Sequence, residues 1–142
     1  MGRSFYFTFV ISILVTFVLA FPFFMNFAPP RAQSTDGFIP YEAASFSETR
    51  ASGKTVVVHV HASWCPACKQ QVPVLKALAK EPAFSGVDFV RVDFDTEKAF
   101  LNENRVPVQS VILVFRNGGE TTRIVGVVDA DELSSRIRAA AT

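Results

Sequence analysis

The sequence predicts an α/β domain: a mixed central sheet with helices on both faces, preceded by an N-terminal transmembrane or signal helix. Three observations predict it. A Val-rich run, Thr55-Val-Val-Val-His-Val-His61, stops just short of a segment with helical apolar spacing that begins at Pro66. A second apolar run, Val111-Ile-Leu-Val-Phe115, leads into Asn117-Gly118-Gly119 and a returning strand. Upstream, 24 consecutive residues from Phe5 to Ala28 carry no charge.

The apolar run comes first along the chain. It holds eight of the 15 Phe residues. A bilayer span needs about 20 apolar residues, and a signal peptide needs an apolar stretch followed by small residues at a cleavage site. Val18-Leu19-Ala20 fits such a site, but the chain then continues Phe-Pro-Phe-Phe-Met-Asn-Phe. An uncleaved anchor is the expectation, with a soluble, cleaved form as the alternative. Either reading carries the domain across a membrane, where a disulfide persists. In a Gram-negative cell the anchored form is a single-pass inner-membrane protein facing the periplasm. The chain thus divides into residues 1–30 (anchor or signal peptide), 31–37 (Pro/Gly-containing linker) and 38–142 (folded domain). Beyond Pro30 the basic and acidic residues balance at 13 each, which excludes a basic field for nucleic acid.

Within the domain, Tyr41–Ala51 reads as a short helix. Thr55–His61 is β-branched and reads as a buried strand. Pro66–Lys80 places Val72, Leu75, Leu78 and Ala79 at helical spacing, with Pro82 beyond its end. Val87–Asp93 is a second strand and Thr96–Asn104 a helix. Val111–Phe115 and Thr121–Val125 flank an Asn-Gly hairpin turn. Asp129-Ala-Asp-Glu132 forms a capping box for a last helix to Ala140. The order is α-β-α-β-α-β-β-α. Crossover helices make the early strands parallel, and the hairpin adds antiparallel edge strands.

The chain has two cysteines, Cys65 and Cys68, at the strand-to-helix junction. Pro66 takes the first helical position, where its missing N–H costs nothing. The Cys65 sulfur then sits among unpaired N–H groups at the positive end of the helix dipole, and both favour thiolate. Cys68 lies nearly one turn on, on the same side, placed to resolve a mixed disulfide formed at Cys65. Zinc usually takes four ligands, and no second Cys pair exists. A staple across so short a loop constrains the unfolded chain little. The expectation is a redox-active disulfide, Cys65–Cys68, needing no further cofactor. With no third cysteine for a covalent dimer, the chain is expected to be a monomer.

Trp64-Cys65-Pro66-Ala67-Cys68-Lys69 followed by Pro73 resembles the thioredoxin family, whose pattern is WCxxCK with a proline five residues after the second cysteine. The resemblance runs from about Thr55 to the C-terminus. It includes Val92-Asp93-Phe94-Asp95, Phe115-Arg116-Asn117-Gly118 and Val125-Gly126. It implies the thioredoxin fold and thiol–disulfide exchange with cysteine-containing proteins. It also implies reductive roles such as cytochrome c maturation or thiol rescue, fed by a membrane electron donor.

Three departures from the family pattern bear on the site. Between the cysteines stand Pro66 and Ala67, where cytoplasmic thioredoxins usually carry Gly-Pro. The strongest oxidants of the family have a His there, so its absence points toward a reductant or an intermediate potential. Secondly, the family's cis-proline place falls on Ser110, unless a rearranged loop brings Pro107 into it. Gln109 and Ser110 would then form the loop that meets a substrate strand. Thirdly, His59 occupies the place of the family's buried acid, and His61 that of a common aromatic. Both lie on one strand face. The functional expectation is that His59 shuttles a proton for Cys68, because imidazole titrates near neutral pH; the alternative is two satisfied histidines in a polar seam. Arg91, at the place of the acid's basic partner, would depress imidazolium formation. Trp64 is expected to pack beside the thiols.

Two other function classes compete. Cys65, Cys68 and His59 or His61 could make a soft N/S site for copper. A redox-inert scaffold would require the CxxC to be dispensable.

Overall fold

A computed structural model describes residues 37–141. The expected anchor or signal segment, residues 1–30, and most of the linker lie outside the described residues. Among those described, no helix is long and apolar enough to cross a membrane.

The elements are β1 (Ile39–Pro40), α1 (Ala43–Ala51), β2 (Val56–His61), α2 (Pro66–Ala79), a 3-10 turn (Pro82–Phe84), β3 (Asp88–Asp93), α3 (Lys98–Glu103), β4 (Val111–Arg116), β5 (Gly119–Val125) and α4 (Ala130–Ala141). The sheet order is β1-β3-β2-β4-β5. β1, β3 and β2 are parallel; β4 runs antiparallel to both β2 and β5. The expected mixed sheet is present, with one correction. β4 is an interior strand, so the hairpin supplies one antiparallel edge, β5, and not two. Its five residues from Val111 to Phe115 are all buried, as a strand covered on both faces requires. The other edge is β1, which the sequence reading missed. Two residues give no periodicity, and Pro40 is compatible only with an edge.

Local signals set the element ends. The Glu42 carboxylate accepts from the Ala44 and Ser45 amides at 3.1 and 2.7 Å and caps α1, so the helix starts after Tyr41. Asp93 Oδ1 accepts from the Asp95 and Thr96 amides at 2.8 and 3.0 Å. That turn occupies the residues expected to open α3 and delays the helix to Lys98. Asp129 accepts from the Glu132 amide at 2.8 Å, capping α4. Asn117 and Gly118 have φ of 51° and 80°, the paired left-handed residues that a two-residue hairpin turn needs.

Strand alternation divides the core. Val56, Val58 and Val60 of β2 meet Phe46, Phe100, Leu101, Leu113 and Phe115 on the side of α1 and α3. Val57 faces the other way, with Ile112 and Val114, toward Leu75 and Leu78 of α2 and Leu133 and Ile137 of α4. Burying each such Val or Leu stabilises the fold by about 1.5–3 kcal/mol relative to leaving it exposed. His59 shares the face of Val57, and so lies beneath the helix that carries both cysteines.

Candidate active site

The chain leaves β2 at His61 and turns over Ala62–Cys65, where the Cys65 amide donates to the Ala62 carbonyl at 3.1 Å. Cys65 is the N-cap of α2, in extended conformation, and Pro66 follows as the first helical residue. The Cys68 amide donates to the Cys65 sulfur at 3.2 Å. Both cysteines are free thiols. Cys65 keeps 2% of its surface and Cys68 none, so Cys65 is the sulfur nearer to solvent. Ala62 forms one buried cluster with them, and Ala67 and Phe94 pack against it.

Burial pushes the Cys68 thiol above its ordinary range, and the hydrogen bond and charge of Cys65 push the same way. The backbones of Ala62 and Ser110 oppose that rise. Cys68 therefore holds its proton more tightly than an ordinary thiol, while the Cys65 sulfur accepts from the Cys68 amide, a division between attacking and resolving sulfurs.

Trp64 is 55% exposed, and its indole N–H donates to Asp95 Oδ2 at 2.9 Å. It precedes Cys65 in the chain and is held by an aspartate that the Asp93 turn orients. The sequence reading quoted Asp95 within Val92-Asp93-Phe94-Asp95 without assigning it a partner.

Ser110, and not Pro107, is the residue brought to the thiols. Pro107 is exposed, whereas Ser110 is 4% exposed. The Ser110 amide donates to the Val60 carbonyl at 3.0 Å, the same carbonyl that the Cys68 sulfur approaches at 4.0 Å. Ser110 has φ of 63°, in the left-handed region. Its hydroxyl is buried and has no hydrogen-bond partner among the described residues. Gln109 is half-buried beside it.

His59 has a partner that the sequence expectation did not name. It is fully buried, and its Nε2 lies 3.0 Å from Gln71 Oε1 of α2, not on a thiol. Burial, then the neighbouring His61, pushes its pKa down to about 3; the Gln71 hydrogen bond opposes this and Arg91 adds to it. Arg91 is the β3 partner of His59 in the sheet register and lies over the Phe38 ring at 4.4 Å. An imidazole held that low is a poor acceptor for a thiol held above its ordinary range. The hydrogen-bond partner of His59 is Gln71, and the low pKa of the imidazole does not match proton exchange with Cys68 at neutral pH. The His61 ring sits 5.4 Å from that of His59, on the same face, as the strand alternation required.

Gln71 is the residue that the sequence reading missed. It is fully buried on the face of α2 that also carries Cys68, Leu75 and Leu78. The available signal was spacing. Position 71 lies one turn before Leu75 and two before Leu78, on the buried stripe. As to metals, the described residues contain no group of three His, Cys, Asp or Glu side chains able to hold one.

Two adjacent thiols at a helix N-terminus, one buried and protonated, the other capping the helix, define a thiol–disulfide oxidoreductase. The thioredoxin family profile matches residues 38–139. Thioredoxin H2 of Arabidopsis thaliana is 34% identical over 92 residues, covering 65% of this chain and 67% of that protein. Thioredoxin-1 of Saccharomyces cerevisiae is 31% identical over 84 residues, covering 59% of this chain and 80% of that one. The crystal structure of Trxlp from Edwardsiella tarda aligns with a TM-score of 0.66 at 41% identity, over 68% of this chain and 94% of that one. The chain belongs to the thioredoxin family.

The chemistry follows from the two sulfurs. The Cys65 thiolate attacks a disulfide in a cysteine-containing protein, forming a mixed disulfide and releasing one substrate sulfur as thiolate, which takes up a proton. Cys68 then attacks the Cys65 sulfur. The Cys65–substrate bond breaks, the Cys65–Cys68 bond forms, and the Cys68 proton ends on the second departing substrate sulfur. Two electrons have passed to the substrate, and the chain is left as the disulfide. The reverse sequence makes a substrate disulfide.

Proposed function

We propose that this protein is a membrane-tethered reductant of exported, cysteine-containing proteins, working from the outer face of the inner membrane. The single observation that carries the exchange reading is the pairing of a capping Cys65 with a buried, protonated Cys68. The direction is supported by the Pro66-Ala67 dipeptide, which lacks the histidine of strong oxidants. The compartment is supported by the uncharged run from Phe5 to Ala28. A reductant in that space is reset by a two-electron dithiol donor in the membrane. Cytochrome c maturation and rescue of wrongly oxidised thiols are the roles that such a reductant serves. Substrates meet Trp64 and the exposed Val108, Val125 and Val128, which lie near Ser110 and Gly126 in the chain, Val125 at the end of β5.

The test is the reduction potential of the full chain in detergent, read from Trp64 fluorescence in dithiothreitol and glutathione buffers. A value near that of thioredoxin, about −270 mV, supports the reductant. A value near about −120 mV, that of a strong periplasmic oxidant, reverses the electron flow. Absence of a two-electron transition removes the exchange reading altogether.

A further inference from the structure

Beneath the thiols, one carboxamide ties three separate parts of the chain together. The Gln71 Nε2 donates to the Val127 carbonyl at 2.8 Å and approaches the Ser110 carbonyl at 3.4 Å. Its Oε1 meets His59 Nε2 at 3.0 Å. The amide orientation is decided by chemistry. Two carbonyls can only accept, so the NH2 faces them and the oxygen faces the imidazole. His59 must then carry its proton on Nε2. Its Nδ1 is left as a bare lone pair, buried and without a partner among the described residues. Ser110 lies in the loop beside Cys68 and Val127 in the loop after β5, and the Gly126 amide joins those loops by donating to the Ser110 carbonyl at 2.9 Å.

We infer that Gln71 is a positioning residue for the exchange reaction, clamping the Ser110 and Val127 loops from below to the helix that carries both thiols. This rests on the exchange reading of Cys65 and Cys68 and on substrate docking across those loops. The clamp explains how Ser110 is held in a left-handed conformation beside Cys68. A residue at φ 63° persists only where its surroundings over-determine it. Here its amide is bound to Val60 and its carbonyl to Gly126 and Gln71. A protein substrate lying across Val108, Val125 and Val128 senses the height of both loops. A small disulfide reaching Cys65 alone does not.

The expected result is a split between substrates. In the full chain in detergent, Gln71→Met keeps the volume of the side chain and removes its polar atoms. KM for reduction of insulin rises about tenfold, the worth of one well-placed hydrogen bond. Its kcat stays the same, as does the rate with the small disulfide dithiobis(nitrobenzoic acid). Equal losses on both probes, or no loss on either, overturn the inference. A second measurement needs no variant. Nitrogen NMR of the 15N-labelled wild-type chain is expected to show His59 protonated on Nε2. Protonation on Nδ1 would turn the Gln71 amide around, remove its bonds to both carbonyls and overturn the clamp. If the wild-type chain turns over neither probe, the proposed function fails first and takes the clamp with it.

Discussion

The imidazole Nε2 of His59 lies 3.0 Å from the carboxamide oxygen of Gln71, and both side chains are fully buried. Burial makes position 59 a neutral hydrogen-bonding site where the family places an acid.

Stability is expected to fall in mild acid because His59 is buried in its neutral form. His59 is held at about 3 in the fold and titrates near about 6.5 when unfolded. Between these values the unfolded chain binds a proton that the folded chain does not. The contribution is therefore complete above about 6.5 and is lost as the pH falls toward 3, at about 1.4 kcal/mol per pH unit. Urea unfolding across this window checks it. His59→Gln should lower the slope by about one proton, and an unchanged slope would mean that the imidazole is already charged in the fold.

The two sulfurs should behave differently under alkylation and trapping. Cys65 should be alkylated first, since Cys68 has no exposed surface and its thiol is pushed up. Cys65→Ser should reduce exchange to the uncatalysed rate. Cys68→Ser should accumulate a mixed disulfide with a protein substrate, visible as an intact-mass adduct lost on adding dithiothreitol. An adduct of equal yield in Cys65→Ser would reverse the assignment.

Ser110 offers a stability test. Ser110→Gly relieves a left-handed conformation that costs about 1–2 kcal/mol for an L-residue and deletes a buried, unpartnered hydroxyl. Greater freedom of glycine in the unfolded chain offsets part of this, leaving a net gain of about 1 kcal/mol. Ser110→Pro should cost about 3 kcal/mol or more. It forces φ negative and removes the N–H that binds Val60 at 3.0 Å. Thermal unfolding of both variants measures the difference, and a stabilising proline would show that the loop readily takes another path.

Asp95→Ala should leave stability within about 0.5 kcal/mol, because the Trp64–Asp95 bond is exposed. It should instead raise KM for a protein substrate a few-fold and broaden Trp64 emission. A large drop in Tm with unchanged KM would assign the pair to the fold alone.

The tether is checked by topology. The full chain should sediment with membranes after alkaline extraction, and a C-terminal tag should be cleaved by protease added to spheroplasts. Release of a soluble, shortened form into the periplasmic fraction would establish cleavage.

Much of the fold was legible because its signals are local. The Val-rich β2, Pro66 at the first turn of α2, the Asn-Gly hairpin and the Asp129 cap each depend on residues within a few positions of one another. Less legible were β1, too short to show a period, and the late start of α3, displaced by side-chain bonds from Asp93. The interior place of β4 was not legible either, because the sequence order of strands does not state their spatial order.

For the site, the sequence alone determined that Cys65 and Cys68 share one side of a helix start. Their spacing and the helix repeat leave no other arrangement. It also placed His59 and His61 on one strand face, by alternation. Only the tertiary structure decided what His59 does there and that Gln71 matters at all. Gln70 and Gln71 look alike as neighbours, yet Gln70 is exposed and Gln71 buried. The partners of Gln71 lie 12, 39 and 56 residues away in the chain. The hydrogen bonds of a buried amide are made by whatever folding brings within 3 Å or so, and no local pattern encodes that.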